Sequence, residues 1–145
     1  MSNPGRVLGV DYGEARIGLA LSDKMRMVAT PLETVDGKSQ KLATRRIREL
    51  MEEYEVNEVV VGLPLHMNGD FGVLAEAATA FGNKLKAQVP GLAVHFQDER
   101  MSSAEAERIL RLGEAKAGRR KQMRDQLAAQ LILQSWMDAR AVRNG

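Results

Sequence analysis

Apolar positions change period along the chain, and those changes mark out its elements. Residues 6–11 (Arg-Val-Leu-Gly-Val-Asp) form a short apolar run closed by an acid, which predicts a buried strand. After a turn at residues 12–15, Ile17, Leu19 and Leu21 alternate with Gly18, Ala20 and Ser22. That alternation predicts a second strand and, with the first, a hairpin. Residues 27–35 predict a third strand, kept to a sheet edge by Pro31, which has no amide hydrogen for a ladder. Helical period takes over at 38–54, where Ala43, Ile47, Leu50, Met51 and Tyr54 share a face. Residues 58–62 are a β-branched run typical of a strand covered on both sides. A second helix is predicted over 72–88, with Leu74, Ala77, Ala78, Phe81 and Leu85 inward and Pro90-Gly91 ending it. Residues 92–97 predict a fifth strand running into Asp98-Glu99-Arg100. Ser102 and Glu105 make a capping box for a helix that turns Ala106, Ile109 and Leu110 inward. Residues 113–118 read as a loop. A last helix is predicted over 120–140, with Leu127, Ala128, Leu131, Ile132 and Trp136 as its inner stripe.

The order β-β-β-α-β-α-β-α-α predicts an α/β fold. The leading strands are joined by short turns and should be antiparallel; the later ones, separated by helices, should be parallel. One mixed sheet with helices on both faces follows, and ligands of such sheets lie beyond the carboxyl ends of the parallel strands. A length of 145 residues corresponds to a single domain over 1–145. The absence of cysteine excludes a disulfide framework, a thiol nucleophile and a cysteine zinc site. His66 and His95 are the only histidines, too few for a histidine-rich metal site. No apolar run reaches the roughly 18 residues of a membrane span. The first residues lack a signal pattern, so the expected location is cytoplasmic.

Three acids stand where the apolar pattern calls for something else. Asp11 closes the first strand, and Glu99 follows the fifth. Asp125 is placed on the inner side of the last helix by Ala128, Ala129, Ile132 and Trp136 at i+3, i+4, i+7 and i+11. Asp98 alternates to the side opposite Glu99, so Glu99 is the one expected to face the site. Each acid alone has a plainer reading. Asp11 could cap the turn toward Gly13, Glu99 could pair with Arg100 or Arg16, and Asp125 could answer the helix dipole. Taken together they form an all-carboxylate set, which favours Mg2+ or Mn2+ over zinc. Two such ions about 4 Å apart can activate a water and stabilise the leaving oxygen of a phosphodiester.

Charge sharpens that expectation. Residues 1–99 hold 11 basic and 14 acidic side chains, and residues 100–145 hold 10 and 5. Lys116, Arg119, Arg120, Lys121 and Arg124 form a block with no acid. Such a block suits a polyanion, or is a solvated loop. Arg16, Arg100, Arg119, Arg120, Lys121 and Arg124 are the candidate phosphate-holding residues. The glycines of residues 9–18 fall between two strands and so do not make a dinucleotide fingerprint. Gly13 allows the turn, and Gly18 lets another backbone approach. The loop at 62–70, with His66 and the Asn68-Gly69 turn, could wall a substrate groove. Tyr12 is the one aromatic residue in the predicted site loops, so contacts to the nucleic-acid backbone should outweigh base stacking.

Four segments, GVDYGEARIGLALSD at 9–23, VVVGLPLHMNGD at 59–70, DERMSSAEA at 98–106 and RDQLAAQLILQSW at 124–136, together resemble the YqgF or RuvX-like family of pre-16S ribosomal RNA nucleases. Their order and spacing match across nearly the whole chain. The resemblance implies a ribonuclease H-like fold similar to the RuvC resolvases and a metal-dependent nuclease acting on the 5′ end of 16S ribosomal RNA. By position it assigns the metal-holding, catalytic acids to Asp11, Glu99 and Asp125. One departure stands out. The strand at 58–62 ends in Gly62, where the resolvases carry a catalytic glutamate, so the acid must come from Glu99, one strand later. The expected partner is structured RNA. The alternatives are branched DNA, which would call for a homodimer presenting two sites, an actin-like or sugar-kinase-like ATP-binding module, and a noncatalytic nucleic-acid-binding factor.

Overall fold

In a computed structural model, residues 5–64, 72–99 and 117–144 are described, with backbone alone for 117–122 and 142–144. The strands are β1 (Arg6–Asp11), β2 (Arg16–Ser22), β3 (Ala29–Asp36), β4 (Val56–Leu63) and β5 (Ala93–Asp98). The helices are α1 (Gln40–Glu53), α2 (Val73–Gln88) and α3 (Ala117–Asn144). The strands form one sheet in the order β3-β2-β1-β4-β5. β1, β2 and β3 pair antiparallel, whereas β1, β4 and β5 run parallel. β3 is an edge strand, as Pro31 requires, and its register with β2 slips between Leu19 and Ala20, beside that proline.

Period-2 alternation divides the sheet cleanly. Leu8, Val10, Ile17, Leu19, Val59 and Val61 point to one face and pack with Ala43, Ile47 and Leu50 of α1 and Phe81 and Leu85 of α2. Val7, Ala20 and Val60 point to the other and pack with Ala129, Ile132, Leu133 and Trp136 of α3. The helices thus lie on both faces. Ser39 caps α1 through its Oγ, which accepts from the Leu42 amide at 3.3 Å.

The second face is built of small residues where α3 crosses. A Cβ on Gly9 would lie 2.8 Å from the Ala129 carbonyl oxygen, and one on Gly18 would fall on the main-chain carbonyl of Asp125. These two glycines let the helix backbone rest directly on β1 and β2. They also fix its rotation. The buried stripe is Asp125, Ala128, Ala129, Ile132, Leu133, Trp136 and Met137, while the predicted Leu127 and Leu131 are only half-buried. Alanines, not leucines, fit over a glycine floor. The last helix also starts at Ala117 rather than 120 and so takes in the end of the predicted loop. In α2 the inward residue of the first turn is Ala75, not Leu74, which is exposed. The helix opened by Ser102 and Glu105, the rest of the loop after it, and the loop bearing His66 and Asn68-Gly69 lie outside the described residues.

Candidate active site

The site is set by the parallel strands' carboxyl ends on the α3 face. β1 ends in Asp11 and β5 leads into Glu99, with β4 between them. Two strand spacings separate the flanking backbones, roughly 10 Å. The side chains nevertheless meet, because the residue between them has no side chain. A Cβ on Gly62 would lie 2.5 Å from Ile132 Cδ1 and 2.8 Å from both the carboxyl carbon and Oε2 of Glu99. The tip of Ile132 and the Glu99 carboxyl therefore share the space above Gly62. Its main chain is pinned there by its amide, which donates to the Leu63 carbonyl at 3.1 Å. The departure seen in the sequence thus has a geometric reason: an acid supplied from β4 and one supplied after β5 would compete for one position.

Asp11 and Glu99 are within hydrogen-bonding reach of each other. Glu99 is 7 % exposed, and its buried Oε2 has no hydrogen-bond partner among the described residues. Burial, the neighbouring Asp11 charge and the hydrogen bond to Asp11 push the Glu99 carboxyl up to about 9. Burial and the charge of Asp125 raise Asp11 to about 6, against the lowering effects of the Glu99 hydrogen bond and Arg124. Burial and mutual repulsion raise both carboxyls and favour one proton held between them over two charges, a property of the pair rather than of either residue.

Asp125 is buried on α3 over Gly18, the cross-strand partner of Asp11. Its Oδ2 accepts from Arg16 Nε at 2.7 Å. Arg124 Nε stands 4.0 Å from its other oxygen. Two of the three expected acids thus touch, and the third is nearby but engaged by a cation. Among the described residues no three Asp, Glu, His or Cys side chains are already gathered as an ion-binding group. The Arg16–Asp125 pair joins residues 109 apart and carries no local signal in the sequence.

Other expected site residues divide. Arg124 lies at the rim beside Asp125. Arg119, Arg120 and Lys121 are on the first turns of α3, with side chains outside the described set, and Arg100 is outside it altogether. Tyr12 is a correction. Its ring packs against Phe81 with centroids 4.7 Å apart, and its hydroxyl accepts from Gln40 Nε2 at 3.0 Å, so it belongs to the opposite face. His95 is structural, bonded to Glu58 at 2.7 Å and packed against Trp136.

A family model described as RuvX, Holliday junction resolvase, matches residues 5–139. The chain belongs to the RuvX family. A relative from Lactococcus lactis subsp. lactis, named "Putative pre-16S rRNA nuclease", is 44 % identical over 140 residues, covering 95 % of this chain and 97 % of the relative. Among solved structures, RuvC from T. thermophilus in complex with a Holliday junction substrate has a TM-score of 0.54 at 20 % identity, covering 94 % of this chain and 96 % of that one. The Fowlpox virus resolvase, solved with Holliday junction DNA, has a TM-score of 0.59 at 12 % identity, covering 92 % and 97 %. At these identities the two likenesses establish the fold, which is the ribonuclease H-like fold of the resolvases. Among the described residues no helix is long and apolar enough to cross a membrane.

Proposed function

We propose that this RuvX-family protein is a metal-dependent nuclease that hydrolyses phosphodiester bonds in the 5′-end maturation of pre-16S ribosomal RNA. The observation that carries the reading is the Asp11–Glu99 pair over Gly62, with one buried carboxylate oxygen left without a partner among the described residues. Leaving a buried acceptor unsatisfied costs about 1–3 kcal/mol, which a bound cation would remove. The donors are all hard oxygens, and a divalent ion would take the place of the proton the pair now shares. The residues therefore fit Mg2+ or Mn2+, held by Asp11, Glu99 and Asp125. Such an ion supplies activation of the attacking water and charge stabilisation of the departing oxygen.

The chain's own groups do the rest. The α3 backbone and the glycine floor hold Asp125 beside Asp11. Arg16 and Arg124 stand at the rim as phosphate ligands, and Arg100, Arg119, Arg120 and Lys121 would extend the basic track. The five described strands share one sheet, which supports one ribonuclease H-like domain over 1–145, and ribosomal RNA maturation in a bacterium implies action in the cytoplasm.

The test is a cleavage assay with precursor 16S ribosomal RNA and a four-way DNA junction, run with Mg2+ and with EDTA. Wild type should cut the RNA only with the ion. Asp11→Asn should lose at least about 100-fold in rate, about 2.7 kcal/mol of barrier, and keep most of its RNA affinity. Unchanged cutting by Asp11→Asn would reject the mechanism. The family description, Holliday junction resolvase, favours a second reading, and preferential cutting of the junction would support it; such a resolvase would need a homodimer presenting two sites, read separately from its mass in solution.

A further inference from the structure

Arg16 faces two ways. Its Nε is bound to Asp125 Oδ2 at 2.7 Å. The same residue walls a groove of about 370 Å3 completed by Ala15, Thr34, Asp36 and Lys38. Strand direction places this groove at the same end of the sheet as the carboxylates. β2 starts, and β3 ends, where β1 ends. The rim therefore runs in order from Lys38 through Thr34, Arg16 and Asp125 to Asp11 and Glu99. Hydrogen bonds tie the walls of the groove together. Gly37 N donates to Ala15 O at 2.9 Å, Asp36 Oδ1 accepts from the Lys38 amide at 2.9 Å, and Thr34 Oγ1 accepts from Gln126 Nε2 at 3.0 Å. Gln126 directly follows Asp125, so the groove is tied to the helix that carries the third acid. Its wall holds two cations and a hydroxyl against one acid.

We propose that this groove is a phosphate subsite for the nucleic-acid strand, and that a phosphate bound there draws Arg16 from Asp125 and frees that carboxylate for a divalent ion. The inference rests on the nuclease reading above. While Arg16 neutralises Asp125, an incoming cation meets a ligand already paired. A phosphodiester in the groove offers the guanidinium another anion, and the Asp125 carboxylate is left open to a cation. Nucleic acid and cation then bind with positive coupling through one side chain, and by linkage each strengthens the other equally.

The test measures Mn2+ binding by the electron paramagnetic resonance of the free ion, with and without a 2′-O-methyl RNA oligonucleotide checked to remain uncut. Counts are corrected for ion held by the RNA alone. In wild type the RNA should tighten Mn2+ binding at least about fivefold. Arg16→Met should bind Mn2+ more tightly than wild type without RNA and gain nothing further when RNA is added. If that variant does not fold, Arg16→Lys should show a reduced coupling. Lys38→Ala should leave RNA-free Mn2+ binding unchanged, weaken RNA binding and lower the salt slope by about 0.7, one single-strand phosphate contact. Equal Mn2+ affinity with and without RNA in wild type, full coupling in Arg16→Met, or an unaltered salt slope in Lys38→Ala would each overturn the inference. Wild-type protein that binds no Mn2+ at all would instead sink the nuclease reading.

Discussion

Replacing Glu99 with glutamine tests the site through stability, before any substrate is added. The Glu99 carboxyl is pushed from its ordinary 4.5 up to about 9, by burial first and then by Asp11. Between those values the unfolded chain gives up the proton and the folded chain keeps it. The unfolded state then binds fewer protons, so stability falls as pH rises through this window and levels off above about 9. Asp11, raised to about 6, adds a loss of the same sign between 3.8 and 6. At pH 7 the Glu99 contribution is at most about 3 kcal/mol, at 1.36 kcal/mol per pH unit. Glutamine carries no such charge and can still donate to Asp11. In EDTA, Glu99→Gln should match wild type near pH 5 and exceed it by roughly 1–3 kcal/mol at pH 8. For a chain of this size that is a rise in Tm of about 3–10 °C.

Thermal unfolding by circular dichroism at pH 5, 6.5, 8 and 9 reads this directly. Saturating Mg2+ should then remove most or all of that advantage, because an ion at 100 times its Kd stabilises by about 2.7 kcal/mol and only wild type offers the full carboxylate set. Parallel Tm curves for the two proteins from pH 5 to 9 in EDTA would refute the reasoning. So would an equal Mg2+ shift in both.

Three further outcomes follow from the same geometry. Gly62→Ala sets a Cβ 2.8 Å from the Glu99 carboxyl, so it should part Glu99 from Asp11 and cut cleavage at least about tenfold, about 1.4 kcal/mol of barrier, with RNA affinity unchanged in a filter-binding assay. Gly18→Ala drives a methyl into the Asp125 carbonyl, and overpacking of this kind should cost about 1–3 kcal/mol in denaturant unfolding while also lowering activity. Replacing Arg119, Arg120 and Lys121 with alanine should weaken RNA binding and lower the salt slope by up to about 0.7 for each lost contact; an unaltered slope would return the segment to a solvated surface.

The residues of this site were legible one at a time, because each acid interrupts an apolar pattern that a strand or helix would otherwise continue. Asp11 follows Val10, and Glu99 follows a strand that alternates through Val94 and Phe96. The sheet was legible for the same reason: alternation at 16–22, the β-branched run at 58–62 and Pro31 each select a strand type on local grounds. Pairing was not. Arg16 could have met Glu99, Asp36 or a phosphate, and its choice of Asp125 depends on how closely α3 approaches β2. That approach depends on Gly9 and Gly18, whose missing side chains also turn the helix so that Ala128 and Ala129, not Leu127 and Leu131, face the sheet.

A glycine is a weak sequence signal because it states only that nothing is there. In the fold, that vacancy decides what fills it. Over Gly18 it is the backbone that carries Asp125, and over Gly62 it is the Ile132 tip together with the Glu99 carboxyl. An acid attached after β5 reaches the volume above the end of β4 because Gly62 presents no side chain there. A glutamate restored at position 62 should therefore fail to add a fourth ligand. It would contest the place of Glu99, and only the double change Gly62→Glu with Glu99→Ala should regain cleavage lost in either single variant. Cleavage by the double variant no better than by Glu99→Ala would show that the two attachment points are not interchangeable.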